Sequence, residues 1–412
     1  MPAVEACQLF AATERAYPGR ERKTDSLSIV IGVTHAQTCL VLSGRLRMLR
    51  EAGFRVTLVS SPGELLSGTA ASEGVEAVAV PMERRIAPWA DLVSLMRLWR
   101  LLRRLKPDVV EFSTPKAGLL GMLAATLCGV PQRVYMLRGL KLETATGFKR
   151  QVLGVAERIA SGCAHRVLCN SASLRARALG LRLAPARKLD ILGQGSSNGV
   201  DIARFSPGPS EVRRQLGIAP EAHVAGFVGR LTRDKGLPEL VCAFDSILRA
   251  EPHTHLLLVG WFDAAEDSLD PVLQARIRRH PRIHLTGFVE DTADYYRAMD
   301  VMVLPTWREG FPNVVLEAAA SGIPVVTTHS TGSRDSVVPE VTGLMIPPGY
   351  PEAISEAVLR LLRDPERRLR MGRAARAWVL EHYANGHVLG MTVEYYKSLL
   401  EPRVAGRLGG TA

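Results

Sequence analysis

Residues 304–326 read Leu304-Pro-Thr-Trp-Arg-Glu-Gly-Phe-Pro-Asn-Val-Val-Leu-Glu-Ala-Ala-Ala-Ser-Gly-Ile-Pro-Val-Val326. A β-branched strand end runs into the loop Glu309-Gly310-Phe311-Pro312, then into a helix, then into the next strand. Pro312 suits the first turn of that helix, because its φ is preset and its missing N–H is one that no helix start can use. The free amides from Gly310 to Val314, those of Phe311 and Asn313 among them, then point toward the strand ends. Glu309 precedes the turn and Glu317 lies near the start of the helix. Carboxylates so placed can accept bonds from sugar or ribose hydroxyls.

The same grammar recurs upstream. Val228-Gly-Arg-Leu-Thr-Arg-Asp-Lys-Gly236 follows a buried strand and opens a helix over residues 237–249. Gly229 lets a ligand approach the backbone, and Arg230 and Lys235 add two cations beside a helix N-terminus, a combination that suits a diphosphate. Working outward, short β-branched runs alternate with helical patterns along the whole chain, which predicts α/β architecture with parallel sheets. The runs in the first half are 27–33, 56–60, 77–80, 109–112, 133–137 and 166–170. Those in the second are 224–228, 255–259, 284–286, 301–305, 324–328 and 343–346. The turn-rich stretch Asn198-Gly-Val-Asp-Ile-Ala-Arg-Phe-Ser-Pro-Gly-Pro209 separates the two series as a linker. Two doubly wound domains are expected over 25–203 and 204–385. Residues 1–24 are expected to be a mobile extension, and 386–412 a helix, able to pack back on the first domain, with a tail. Ligands of open parallel sheets sit at the carboxyl ends of the strands, so the site is expected in the cleft between the domains.

The 412 residues carry 52 Lys and Arg against 41 Asp and Glu, a formal charge of +11. The excess lies wholly in residues 1–205, which sum to +13, while 206–412 sum to −2. A basic half implies nucleic acid, an anionic membrane or a phosphorylated small molecule as partner. Aromatic stacking motifs and a recognition helix are missing, which argues against nucleic acid. Six cysteines without a CxxC pair indicate neither zinc nor a disulfide framework, and no Asp-x-Asp triplet offers to hold a divalent ion, so no metal site is expected. No run of about 18 uncharged apolar residues occurs, so membrane contact is expected to be peripheral and the chain cytoplasmic. The stretch 91–106 sets apolar residues at helical spacing among five cations. It reads as a crossover helix with a solvated basic rim, a rim that could also rest on anionic lipid, with Trp89 and Trp99 placed in the core in preference to an interface.

Taken with these motifs, the chain resembles the GT-B retaining glycosyltransferases of family 4 from about residue 28 to residue 400. The resemblance implies two Rossmann-like domains facing across a cleft. In that family the first glutamate of an E-x7-E motif lies beside the donor sugar, the second binds the nucleotide ribose, and an Arg/Lys pair neutralises the donor diphosphate. Matched motif by motif, these are Glu309, Glu317, Arg230 and Lys235. Thr286-Gly-Phe-Val289 resembles the loop whose backbone, near Val289, reads the base. Ser113-Thr-Pro-Lys-Ala-Gly-Leu-Leu-Gly121, Leu137-Arg-Gly-Leu140 and Cys169-Asn-Ser171 look like members that extend lipid-linked surface polysaccharides. The reaction implied is retaining transfer of a hexose or N-acetylhexosamine from a nucleotide sugar, taken as a UDP-sugar, to an undecaprenyl-diphosphate-linked glycan. No other cofactor and no metal are implied.

Lys116 and Arg138 stand equally as acceptor-side cations or as donor-side or purely structural pairs. The chain departs from the family pattern in having Gly32-Val-Thr-His-Ala-Gln-Thr-Cys39 where many members have a Gly-Gly pair, and Glu111-Phe-Ser113 where many have a histidine. His35 and Glu143 are therefore both candidates for the first-domain contact to the donor sugar, against a structural histidine and a helix-capping acid. A nonhydrolysing UDP-sugar epimerase of the same fold, a transferase using a soluble metabolite, and, least favoured, a nucleic-acid-binding protein are the competing readings.

Overall fold

In the computed structural model, residues 26–83, 85, 87–263 and 267–408 are described, with side chains as far as Glu401. The expected extension 1–24 lies outside the described residues. The β-branched runs form two all-parallel sheets. β1 (Ser28–Gly32), β2 (Arg55–Ser60), β3 (Glu76–Ala79), β4 (Val109–Ser113), β5 (Gln132–Leu137), β6 (Arg166–Cys169) and β7 (Leu189–Asp190) make the first, in the order β3-β2-β1-β4-β5-β6-β7. β8 (Val224–Val228), β9 (His255–Val259), β10 (Ile283–Leu285), β11 (Val301–Leu304), β12 (Val325–Thr328) and β13 (Gly343–Ile346) make the second, in the order β10-β9-β8-β11-β12-β13. β7, two residues long, carries too little pattern to be seen in sequence. Central strands β1, β4, β8 and β9 are buried along their whole length, as the continuous apolar runs require when helices cover both faces.

In each sheet the strand order reverses once, between β1 and β4 and between β8 and β11, whose registers include Ile29 opposite Val109 and Val301 opposite Ala225. The loops leaving those four strands part company there and open a crevice. The chain passes between the halves at two adjacent points, where Val200 N–H donates to Tyr383 O at 2.8 Å and Asn385 N–H to Val200 O at 2.9 Å. The helix Asn385–Leu408 then packs Val393, Tyr396 and Leu400 among Ile29, Leu46 and Val109 of the first domain. A further helix, Pro88–Leu105, turns Leu98, Leu101 and Leu102 into the core with Trp99 packed against it. Trp89, expected in the core, is instead 82% exposed, because it sits one residue into the helix, on the face away from the sheet.

At the far end of the second sheet from the crevice, His255 Nδ1 and His284 Nε2 lie 2.7 Å apart and Arg282 Nη1 lies 2.7 Å from His255 Nε2. Burial, then His284 and Arg282, push His255 down to about 4 from 6.5. A histidine depressed in the folded state binds its proton sooner when unfolded, so its stabilisation is complete above pH 6.5 and is lost as pH falls toward 4. The expected loss is about 1–2 kcal/mol after solvent screening. Urea midpoints measured from pH 7.5 down to pH 5 check this: the fall should shrink in His255→Gln, and an unchanged slope would refute it.

Candidate active site

The loop after β8 is pinned before it reaches its cations. Gly229 has φ +141°, Leu231 N–H donates to Trp261 O at 2.9 Å, and Gly236 has φ +75° with no room for a Cβ, which would lie 2.1 Å from Pro305 O. Both glycines are thus needed, one by its left-handed backbone and one also by a close approach. Arg230 Nη1 pairs with Asp263 Oδ2 at 2.7 Å and keeps 38% of its side chain exposed. Lys235 Nζ pairs with Glu309 Oε1, which joins the loop after β8 to the loop after β11.

A second knot fixes those two loops. Asp234 accepts from Thr232 Oγ1 at 2.6 Å and from Arg308 Nη2 at 2.8 Å, while its backbone oxygen takes Trp307 N–H at 2.9 Å and Thr306 Oγ1 at 3.1 Å. Burial alone would raise the Asp234 carboxyl, but Lys235, Arg308 and the Thr232 bond outweigh it and hold it below its ordinary value. Asp234 therefore stays charged and keeps Arg308 and the backbone around Lys235 in place.

The helix after β11 begins at Asn313 and runs to Ala320, with Pro312 just outside it, one residue later than expected. Val315 N–H reaches back to Pro312 O at 3.0 Å. Among the described residues, no acceptor takes the amides of Gly310, Phe311, Asn313 or Val314. Four unpaired donors at a helix start beside Lys235 form a cradle for anionic oxygens. On the same helix Glu317 is partly buried, and Tyr296 OH donates to its Oε2 at 2.7 Å. Burial raises the Glu317 carboxyl, and the Tyr296 bond acts against it. Val289 packs against the second-domain core just after Gly287, on the loop leaving β10.

The first domain meets this cradle directly. A Cβ on Gly310 would lie 2.0 Å from Arg138 O, and one on Gly332 would lie 2.4 Å from Gly310 O, so three backbones cross at the site. Arg138 is half-buried, donates to Ser197 Oγ at 2.8 Å, and lies 4.0 Å from Glu111 Oε1. Burial, then the like charge of Arg45, push its guanidinium down to about 10 against the attraction of Glu111. Glu111 also accepts from Arg45 and from Tyr396 OH. Thr114, just after β4, has φ +70° and is held by a 2.6 Å bond between its hydroxyl and that of Thr34.

Of the acceptor-side candidates, Lys116 is committed to Asp91 at 2.6 Å and to Arg85 O, which makes it a tie between helices. Glu143 accepts from Arg177 Nε at 3.0 Å and from Thr331 Oγ1 at 2.8 Å, and so bridges the domains. His35 stands half-buried in the loop after β1, directly before the short turn Ala36–Leu42. Arg45, Thr114 and Tyr396 escaped sequence reasoning. Thr114 had a signal, a threonine before proline at a strand end, whereas Tyr396 lies 351 positions from Arg45.

The crossing at Gly310 yields a prediction. Gly310→Ala should lower kcat/KM at least about tenfold, since the added methyl forces the two domains apart and misplaces the cradle. Thermal unfolding should change little, because the clash lies between domains that can separate. A variant with wild-type kcat/KM would refute the crossing as part of the working site.

The family described as Glycosyl transferase 4-like domain matches residues 42–195, and that described as Glycosyl transferases group 1 matches 222–364. A capsular polysaccharide biosynthesis glycosyltransferase of Staphylococcus aureus, CapM, is 34% identical over 370 residues, covering 90% of this chain and 96% of its own. The chain belongs to the group 1 glycosyltransferases. This glycosyltransferase is also 27% identical, over 81% of its length and 88% of the relative, to an Escherichia coli UDP-Gal:alpha-D-GlcNAc-diphosphoundecaprenol alpha-1,3-galactosyltransferase. Its fold matches that of Anabaena HepE in complex with UDP and glucose, with TM-score 0.75, 19% identity, and 90% of this chain and 99% of that one covered. The two facing Rossmann-like domains of this glycosyltransferase are thus the GT-B architecture.

Proposed function

We propose that this glycosyltransferase moves a hexose or N-acetylhexosamine, with retention at the anomeric carbon, from a UDP-sugar to an undecaprenyl-diphosphate-linked glycan during surface polysaccharide synthesis. The observation that carries the donor half is the convergence of Arg230, Lys235, Glu309 and the four unpaired amides at the point where the second sheet reverses its order. Charge develops on the departing diphosphate, and fixed cations and amides aimed at it stabilise that charge without reorganising. Lys235 would then bridge the phosphate and Glu309, while Glu309 orients the sugar and stabilises positive charge at its anomeric carbon. Glu317, with one oxygen held by Tyr296, would take the ribose. The names of the relatives from Staphylococcus aureus and Escherichia coli support a polysaccharide and a diphosphate-linked acceptor.

Attack from the same face, assisted by the leaving phosphate, is the retaining route that this arrangement suits, because Glu309 is held by Lys235 as its counter-charge. The test is a panel of UDP-sugars with membranes bearing undecaprenyl-diphosphate-linked sugars, released UDP being the readout and the anomeric configuration of the product being read by NMR. Turnover should persist in EDTA. An inverted product would end the retaining assignment, and conversion of donor without acceptor would replace transfer by epimerisation.

A further inference from the structure

The first domain carries two helices whose outward faces are apolar without any covering element among the described residues. On Pro88–Leu105, Trp89, Leu92, Val93 and Met96 occupy positions i, i+3, i+4 and i+7 of one helical face and are 82%, 46%, 40% and 41% exposed. The opposite stripe, Ser94, Leu98, Leu101 and Leu102, enters the core. The helix therefore has two apolar faces where a surface helix ordinarily has one. On Gly147–Cys163 the pattern repeats, with Phe148, Val155 and Ile159 exposed at 79%, 52% and 41% while Gly154, Glu157, Ala160 and Ser161 turn inward. Both helices pack against the one between them, Pro115–Leu127, so the two stripes belong to one side of the domain.

The charge on this side has one sign. Arg100, Arg103 and Arg104 on the first helix and Lys149, Arg150 and Arg158 on the second are exposed. The two helices contain only two acids. Asp91 is paired with Lys116, and Glu157 is buried against Tyr135 OH at 2.7 Å. Apolar side chains flanked by cations match a bilayer containing anionic lipid, in which the apolar groups enter the interface and the cations meet phosphate.

Orientation follows from topology. In a parallel sheet each connecting helix begins at the carboxyl end of the strand before it. Pro88–Leu105 begins on the cleft side after β3, and Gly147–Cys163 begins on the same side after β5 and Arg138. Trp89 and Phe148, the two most exposed residues of the stripes, are each the second residue of their helix, so both sit at the cleft end. An aromatic pair at that end is the arrangement that the membrane interface favours.

We infer that the outer faces of Pro88–Leu105 and Gly147–Cys163 form a docking surface for an anionic lipid bilayer, with Trp89 and Phe148 inserted at the lip of the cleft. The inference rests on the proposed lipid-linked acceptor only for its purpose, which is to bring a membrane-borne substrate to the cleft.

The experiment is co-sedimentation of the full chain with phosphatidylcholine vesicles, with and without phosphatidylglycerol. Binding is expected only when phosphatidylglycerol is present. Trp89→Ser combined with Phe148→Ser should weaken it about tenfold or more, from the apolar area removed. Val272→Ser, at an exposed apolar residue of the second domain, should bind like the wild type. Quenching by brominated lipid should be lost in Trp89→Phe. Transfer to a water-soluble acceptor should be unaffected in these variants. Absence of vesicle binding, or undiminished binding by the double variant, overturns the inference. A stable dimer that the double variant loses, without vesicle binding, would assign the face to a second copy and overturn it too. Vesicle binding as expected, with no transfer to a lipid-linked acceptor, leaves the surface standing and fails the acceptor reading alone.

Discussion

Lys235→Ala should lower kcat by about 10³-fold, close to 4 kcal/mol of transition-state stabilisation, with a much smaller change in KM for the donor. The expectation is large because Lys235 is only 18% exposed and its ammonium is held by Glu309, so its charge acts in a site from which water is mostly excluded. Alanine removes the cation and also leaves Glu309 as an unpaired anion beside a departing diphosphate, which adds repulsion to lost attraction. Glu309→Gln in the Lys235→Ala background separates these effects. If repulsion contributes, the double variant should be faster than the product of the two single losses, because the amide removes the stranded charge. Arg230→Ala should cost less, about 10²-fold, since that side chain is 38% exposed and anchored by Asp263. Steady-state rates over a range of UDP-sugar concentrations at saturating acceptor are the measurement. Wild-type turnover in both alanine variants would remove the leaving-group assignment.

What could be read before folding is local, and what could not is remote. The strand, loop and helix around Glu309 declare themselves within residues 304–326, because proline, glycine and a β-branched run constrain one another over a few positions. The helix still starts one residue later than its proline suggests, since Pro312 takes up φ −81° and ψ 101° outside the first turn. Lys116 shows the opposite case. Its lysine is plain in sequence, but its partner Asp91 lies 25 residues away and is brought to it only by the packing of two helices. Trp89 lies on the outer face instead of in the core for a related reason. Helical spacing shows that residues share a face, and a helix with two apolar faces offers no local clue to which one the sheet will cover. The charge excess of the first half is now distributed among particular tasks. Some of it rims an outer surface, and some, at Arg45 and Arg138, is gathered around one buried glutamate.

That buried glutamate carries the second large expectation. Glu111→Ala should destabilise the fold by about 3–5 kcal/mol, lowering the thermal midpoint by about 10 °C. Glu111 is fully buried and Arg45 is 1% exposed, and Tyr396 reaches the same carboxylate from the helix Asn385–Leu408. Burial alone would depress the Arg45 guanidinium, but Glu111 and Tyr396 raise it above its ordinary range, so Arg45 is charged and depends on the pair. Alanine would strand that charge, and the second cation at Arg138, since among the described residues no other acid is bonded to either. Tyr396→Phe removes the hydroxyl's bonds to Glu111 and Arg45 but leaves their ion pair intact, and should cost only about 1–2 kcal/mol. Replacing both partners, as Arg45→Met with Glu111→Leu, should cost less than Glu111→Ala alone, because no unpaired charge remains on that pair. Hydrogen exchange should rise over residues 385–401 in Glu111→Ala, since the carboxylate is one tie between that helix and the first domain. Equal midpoints for wild type and Glu111→Ala would mean that Arg45 finds water or another partner when the glutamate goes, and that apolar packing by Val393 and Leu400 is what holds the returning helix in place.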